Sequence, residues 1–382
     1  MKLSFRVLEI SESGIRRLFD LAQRSSGIIS FGIGEPDYDT PAHIKEAGKK
    51  ALEEGYTHYT PNAGFLELRD EIAKKLRREN RIEVVSEEVM ITSGGTAAIF
   101  LALSVLLNPG EEVLTPDPGF VAYEPIIKAL GGKPVKYHAC DSFDIDLDDV
   151  AKKITSKTKC LIVNTPNNPT GAVYPEKTLR KLANLALQHN IFILSDEVYE
   201  KFIYDDEQHF SIASIPDAKP ITITVNSFSK TYAMCGWRIG YFAAEKTIVD
   251  EAVKLQQYTL VHAPSIAQRA ALAALRGPQD HIARMVRDYN ERRKTVVKLL
   301  NEVNGFTCPL PKGAFYAFPR VNGLKMSSFE LAEKLLREAN VVTVPGVVFG
   351  EQGEGHLRFA YTIPVEKIVE GIERVKRILN AI

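Results

Sequence analysis

The chain has 382 residues, 45% of them apolar and 25% charged, with a formal net charge of zero. That profile suits a globular protein with one large domain and a smaller one, and it argues against a broad nucleic-acid or anionic-membrane surface. Near-zero charge weakly favours self-association, and the scattered Cys140, Cys160, Cys235 and Cys308 form no Cys-x-x-Cys zinc or redox motif.

From the start of the chain, Met1 to Arg6 lack the apolar core of a signal peptide, so a cytoplasmic setting is expected. The first 45 or so residues read as a short helix, Gly14 to Gln23, then a turn-rich stretch without strands of its own. That segment is expected to pack on the C-terminal part. From about residue 90 to 245, short β-branched runs alternate with helical ones. The runs are Val89 to Thr92, Glu112 to Thr115, Cys160 to Val163, Ile191 to Leu194, Ile221 to Val225 and Ile239 to Phe242. Ala97 to Leu107 is apolar all round but too short to span a bilayer, so it reads as a buried helix. Pro175 to His189 is amphipathic with Pro at its start. Near-continuous apolar strands between helices predict a mostly parallel sheet covered on both faces. The last third predicts helices at Asp280 to Val303, Ser327 to Ala339 and Val365 to Ile382. Strand-like alternation lies at Ala314 to Phe318 and His356 to Tyr361. The expected division is residues 1–45, 46–285 and 286–382.

In open α/β sheets ligands bind beyond the carboxyl ends of the strands, so the polar residues that follow each run carry the functional signal. Ser93-Gly94-Gly95-Thr96 opens a helix after Ile91 and suits an anion, although a Gly-Gly turn is often only a turn. Asn164 to Gly171 is rich in Asn, Pro and Gly, as turns are for backbone reasons. Ser195-Asp196-Glu197-Val198-Tyr199 places a carboxylate at a buried strand end, where it needs a cation or a donor. Ser227-Phe228-Ser229-Lys230 places an amine among small hydroxyl residues, and Arg238 follows. A lone lysine is usually a solvated surface residue. Four strand ends that offer an anion cradle, an amide, a carboxylate and an amine point instead to one site.

With these motifs in order, the chain resembles the fold-type I pyridoxal-phosphate aminotransferases of classes I and II, in particular the aspartate and aromatic amino acid group. The matching stretches run almost end to end, from Gly32-Ile33-Gly34-Glu35-Pro36-Asp37 and Tyr59-Thr60-Pro61 to Lys312-Gly313-Ala314-Phe315-Tyr316 and Leu357-Arg358-Phe359. The resemblance implies a large α/β domain with a mostly parallel seven-stranded sheet. It also implies a smaller α+β domain from the N- and C-terminal segments.

It implies, further, that Lys230 bonds to the cofactor aldehyde and shuttles the substrate α-proton. Asp196 would keep the ring nitrogen protonated, Tyr199 and Asn168 would hold the phenolic oxygen, and Phe120 would stack on the ring. Gly94, Gly95, Thr96, Ser227 and Arg238 would hold the phosphate, joined by Tyr59 from a neighbouring subunit. Arg358 would grip the substrate α-carboxylate through its fork of donors, near Gly34. The implied partners are an amino acid, a 2-oxo acid such as 2-oxoglutarate and a second copy of the chain in a homodimer with shared sites. No metal, nucleic acid or membrane is implied.

Phe120, Phe315 and Tyr316 suit an aromatic or mixed side-chain pocket. The Asn168-Pro169 bond is expected to be cis. β-Elimination on the same scaffold is the nearest alternative. A nicotinamide dehydrogenase is disfavoured because neither Gly32-Ile33-Gly34 nor Gly94-Gly95 continues as Gly-x-Gly-x-x-Gly. A DNA-binding regulator would need an added basic domain.

Overall fold

The computed structural model describes residues 3–10 and 27–380, so the helix expected at Gly14 to Gln23 lies outside the described residues. Seven strands form the central sheet, in the spatial order Val89–Thr92, Gly240–Ala243, Thr222–Ser227, Phe192–Asp196, Thr158–Asn164, Glu112–Asp117, Lys133–His138. Gly240–Ala243 runs antiparallel to both neighbours, and the remaining pairs are parallel.

The central strands are buried at nearly every position because helices cover both faces. Alternation sends their side chains to two different cores. Ile162, Leu194, Ile223 and Phe242 pack with Ala98, Leu101 and Ala102 of the helix Gly95–Leu106. Leu161, Val163 and Ile193 pack on the opposite face with Leu179, Leu182 and Ala186 of Glu176–His189. The apolar run after Thr96 is thus a buried helix, as its composition predicts. Among the described residues no helix is long and apolar enough to cross a membrane.

Lys133–His138 supplies a seventh strand that the apolar runs do not announce. It lies at the sheet edge beside Glu112–Asp117. An edge strand tolerates Pro134 and charged Lys133 and Lys136, and these residues mask the pattern.

A separate core gathers the C-terminal helices Asp280–Asn301, Ser328–Ala339 and Val365–Leu379. Ser327 caps the second of these, accepting from the Glu330 amide, while the Glu330 carboxylate accepts from the Ser327 amide. Tyr316–Ala317, Leu357–Ala360 and Val344–Pro345 form a small antiparallel sheet there. The strand read at Ala314 to Phe318 shrinks to two residues, since Ala314 has φ +55° and Pro319 follows. One expectation is overturned: the N-terminal segment does carry a strand. Ile29–Ser30 pairs in parallel with Val341–Val342. A two-residue strand has no room to show a period, and its partner lies at the far end of the chain.

Candidate active site

The register of the sheet brings its functional positions to one edge. Asn164 pairs with Asp196, Asp196 with Val225, and Gly240 with both Ser227 and Thr92. Beyond this edge lies a cavity of about 530 Å³, closed from the far side by Gly34, Tyr316 and Arg358.

Lys230 follows strand Thr222–Ser227 in the short helix Phe228–Thr231. Ser227 caps that helix, its Oγ accepting from the Ser229 amide at 3.1 Å. The half-buried Lys230 Nζ reaches into the cavity and donates to the Gly34 carbonyl at 2.7 Å. Gly95 and Thr96 line the cavity at the start of the helix Gly95–Leu106, whose first amides favour an anion. Gly94 has φ +93°, and an added Cβ there would lie 2.5 Å from Arg238 Nη2. The Arg238 guanidinium therefore sits directly against the glycine turn, with Nη1 donating to the Cys235 carbonyl at 2.8 Å.

Asp196 ends its strand 3% exposed. It accepts from Tyr123 Oη at 2.7 Å and from the Val198 amide at 3.3 Å. Burial pushes its carboxyl up to about 6, against the pull of those two donors. Asn168 donates its amide to Asn164 Oδ1 at 2.8 Å, and Asn164 Nδ2 donates to the Asp196 carbonyl at 3.1 Å. These bonds lock adjacent strand ends together. The Asn168-Pro169 bond is cis, as expected, and so are Asp117-Pro118 and Thr165-Pro166.

Arg358 is buried on the small antiparallel sheet. Nη1 donates to Asn168 Oδ1 at 3.0 Å and Nη2 to the Gly32 carbonyl at 2.7 Å, while Nε has no partner. Its guanidinium lies over the Tyr316 and Phe349 rings, 4.5 and 4.9 Å from their centroids. Burial lowers its pKa, yet an arginine stays charged. Tyr199 Oη is 2.7 Å from Tyr316 Oη. Phe120 lines the cavity and meets Tyr123 edge-on.

Two expected residues lie elsewhere. Phe315 does not line the cavity; it packs behind Tyr199, with ring centroids 5.3 Å apart. Tyr59 is 85% exposed, edge-on to His262, and its own chain does not bring it to the cavity. One residue that touches the site was not expected, Tyr123, whose hydroxyl holds Asp196, while Asn164, named only as the first polar residue after its run, braces Asn168. Tyr123 carries no sequence signal beyond standing three positions after Phe120.

The donor set implies its ligand. Asp196 is buried with no ion pair among the described residues, a costly state unless a bound cation meets it. The glycine turn, the helix start and Arg238 favour an anion. An amine stands between them, and Arg358 offers free donor capacity for a carboxylate. A covered, mostly parallel sheet with this edge suits an enzyme that would hold an anionic, cation-bearing cofactor beside a lysine and act on a carboxylic acid.

Comparison with known proteins gives the family. Residues 26–375 match "Aminotransferase class I and II", and the chain belongs to that family of pyridoxal-phosphate enzymes. It is 46% identical, over its full length and 99% of the relative, to "Aromatic-amino-acid aminotransferase 2" of Thermococcus litoralis. Identity and coverage are the same for "Aspartate aminotransferase" of Pyrococcus abyssi. The solved aromatic aminotransferase of Pyrococcus horikoshii OT3 superposes with a TM-score of 0.91 at 46% identity, covering 95% of this chain and 99% of that one. The protein is an aminotransferase, and these names lend no support to β-elimination.

Proposed function

We propose that this aminotransferase binds pyridoxal phosphate and moves an amino group from an aromatic or acidic amino acid to a 2-oxo acid such as 2-oxoglutarate, in a ping-pong cycle. The convergence of Lys230, Asp196 and Arg358 on one cavity carries the reading. The names of the relatives in Thermococcus and Pyrococcus support the two donor classes. Apolar Ile33, Phe120 and Val121 on the wall favour the aromatic one.

Bound here, pyridoxal phosphate would supply a protonated ring able to take up the electron pair left when the donor loses its α-proton. Asp196 would hold the ring nitrogen, exchanging an uncompensated buried charge for a paired one. Gly94, Gly95, Thr96, Ser227 and Arg238 would bind the phosphate, Arg238 by charge-assisted bonds. Tyr199 and Asn168 would hold the phenolic oxygen, and Phe120 would cover the ring. Arg358 would take the α-carboxylate with the donors that now meet Asn168 and Gly32. The Lys230 amine would accept the donor's α-proton and later give it up again, acting as base and then acid.

A second copy of the chain would complete the phosphate site with Tyr59. Exposed Tyr59, Tyr258 and Leu260, on segments joined by the Tyr59–His262 ring contact, support such an interface. The division near residues 45 and 285 is part of the proposal, and four free thiols support a reducing, cytoplasmic setting.

The test is spectroscopic and then kinetic. The loaded protein should show a visible band that borohydride bleaches. Tyrosine, phenylalanine and aspartate should then each be tried with 2-oxoglutarate and with pyruvate. A colourless protein, or no new 2-oxo acid from any donor, would sink the proposal.

A further inference from the structure

The turn that begins at Asp196 has two faces. Asp196 and Tyr199 point into the cavity, and the proposed chemistry uses both. Glu197 and Glu200 do not line it; they are buried behind it, 0% and 9% exposed. Glu197 Oε1 accepts from Ser195 Oγ at 2.8 Å. Its Oε2 accepts from Ser211 Oγ at 2.6 Å and Asn80 Nδ2 at 3.3 Å, and lies 2.7 Å from His209 Nε2. Glu200 accepts from Lys75 Nζ, and from Asn80 Nδ2 at 2.6 Å. Lys75 Nζ also donates to Asn80 Oδ1 at 2.7 Å.

Glu197, Glu200 and His209 present ligand atoms within 4.8 Å of one another. Glu200 is already met by the Lys75 ammonium, and Glu197 by Ser195, Asn80, Ser211 and His209. Burial pushes the Glu200 carboxyl up, but Lys75, His209 and Lys201 overcome it and bring it down to about 2. Lys75 is further flanked by Glu79, 3.8 Å away.

A buried ion cluster is poor value as a source of stability, since well-packed apolar residues often do as well, and its best-attested use is to specify register. Here the cluster bonds every second polar residue of Ser195 to Glu200 from behind. It ties that turn to the helix Leu66–Lys75, to Asn80 and to Ser211. Glu197 holds the centre, with four donors around one carboxylate next to Asp196 in the chain.

We propose that Glu197 is a positioning residue for transamination: anchored by Ser195, Asn80, His209 and Ser211, it fixes the turn so that the Asp196 carboxylate and the Tyr199 hydroxyl face the cofactor. The inference rests on the cofactor reading given above.

Glu197→Gln keeps the shape and turns one acceptor into a donor facing Ser211, His209 and Asn80. In the cofactor-free protein, amide hydrogen exchange at residues 196–200 should quicken, and pyridoxal phosphate should bind about tenfold more weakly. In the loaded protein the pH midpoint of the visible band should shift. kcat should fall about tenfold while KM for the amino donor, set by Arg358, changes less. If that variant does not fold, Ser211→Ala removes a single donor and should move the same readouts in the same direction by less. A lowered Tm with wild-type exchange at 196–200, cofactor affinity and band midpoint would make Glu197 an ordinary core residue and overturn the proposal. A wild-type protein without a visible band would overturn the cofactor reading as well.

Discussion

The two faces of the Asp196–Glu200 turn treat charge in opposite ways. Behind it, Lys75, Asn80, Ser211 and His209 meet Glu197 and Glu200, and each carboxylate has several partners. On the cavity side Asp196 has Tyr123 and one amide, and Arg358 meets an amide oxygen, a carbonyl and two aromatic rings. Among the described residues neither forms an ion pair. Both faces are buried, so burial alone does not explain the difference. A fold satisfies charge where the charge serves structure, and leaves it wanting where a ligand is to supply the partner.

The sharpest break in that comparison is to remove a lysine from each face in turn. Lys230→Ala should eliminate the half-reaction with added amino acid, a loss of about 10⁴-fold or more. The fold should barely notice, since the Lys230 bond to Gly34 is worth about 1 kcal/mol. Rapid-mixing absorbance and a thermal melt read the two quantities, and ordinary turnover in this variant would refute the assignment.

Lys75→Met should do the reverse. It strands Glu200 in the core and should cost about 3 kcal/mol of stability in denaturant titrations at pH 7. The Glu200 carboxyl is depressed in the fold, from 4.5 to about 2. Its contribution is therefore fully present above pH 4.5 and fades as pH falls toward 2. The penalty should shrink in acid, and a penalty that grows there would contradict the ion-pair account.

Asp196→Asn has an effect of similar size and opposite sign. Its carboxyl is raised from 3.8 to about 6, so the ionised form burdens the cofactor-free fold by up to roughly 3 kcal/mol. That burden is full above pH 6 and gone below about 3.8. The variant should thus melt higher than wild type at pH 8 without cofactor, not at pH 4, while losing activity. Equal melting at both pH values would mean that another group already balances Asp196. Tyr123→Phe should act least. Loss of one donor should push Asp196 further above 6 and slow turnover by about tenfold, measured as kcat across pH; an unchanged profile would remove Tyr123 from the site.

Legibility in the sequence followed the same divide. Asp196, Lys230 and Asn168 could be read because each lies just past an apolar strand, and a parallel sheet brings such positions to one edge. Arg358 had no such cue and entered only through resemblance to a family, since it reaches the cavity from the small antiparallel sheet. Tyr123, Lys75 and Asn80 were invisible for a physical reason. Each meets its partner across the fold, and no spacing along the chain encodes that meeting. Edge strand Lys133–His138 escaped because Pro134 and the charged Lys133 and Lys136 mask its pattern, and the pairing of Ile29–Ser30 with Val341–Val342 because two residues show no period.

By itself, then, the sequence determined the sheet, its helical cover and the residues waiting at its carboxyl edge, because burial on both faces demands local patterns that the chain must carry. Tertiary structure alone decided which charges would be answered: Glu200 by Lys75 from the helix Leu66–Lys75, Asp196 by one tyrosine and one backbone amide, with no ion pair among the described residues. Pairing depends on where distant segments come to rest, and the residues on either side of the Asp196–Glu200 turn look alike until they do.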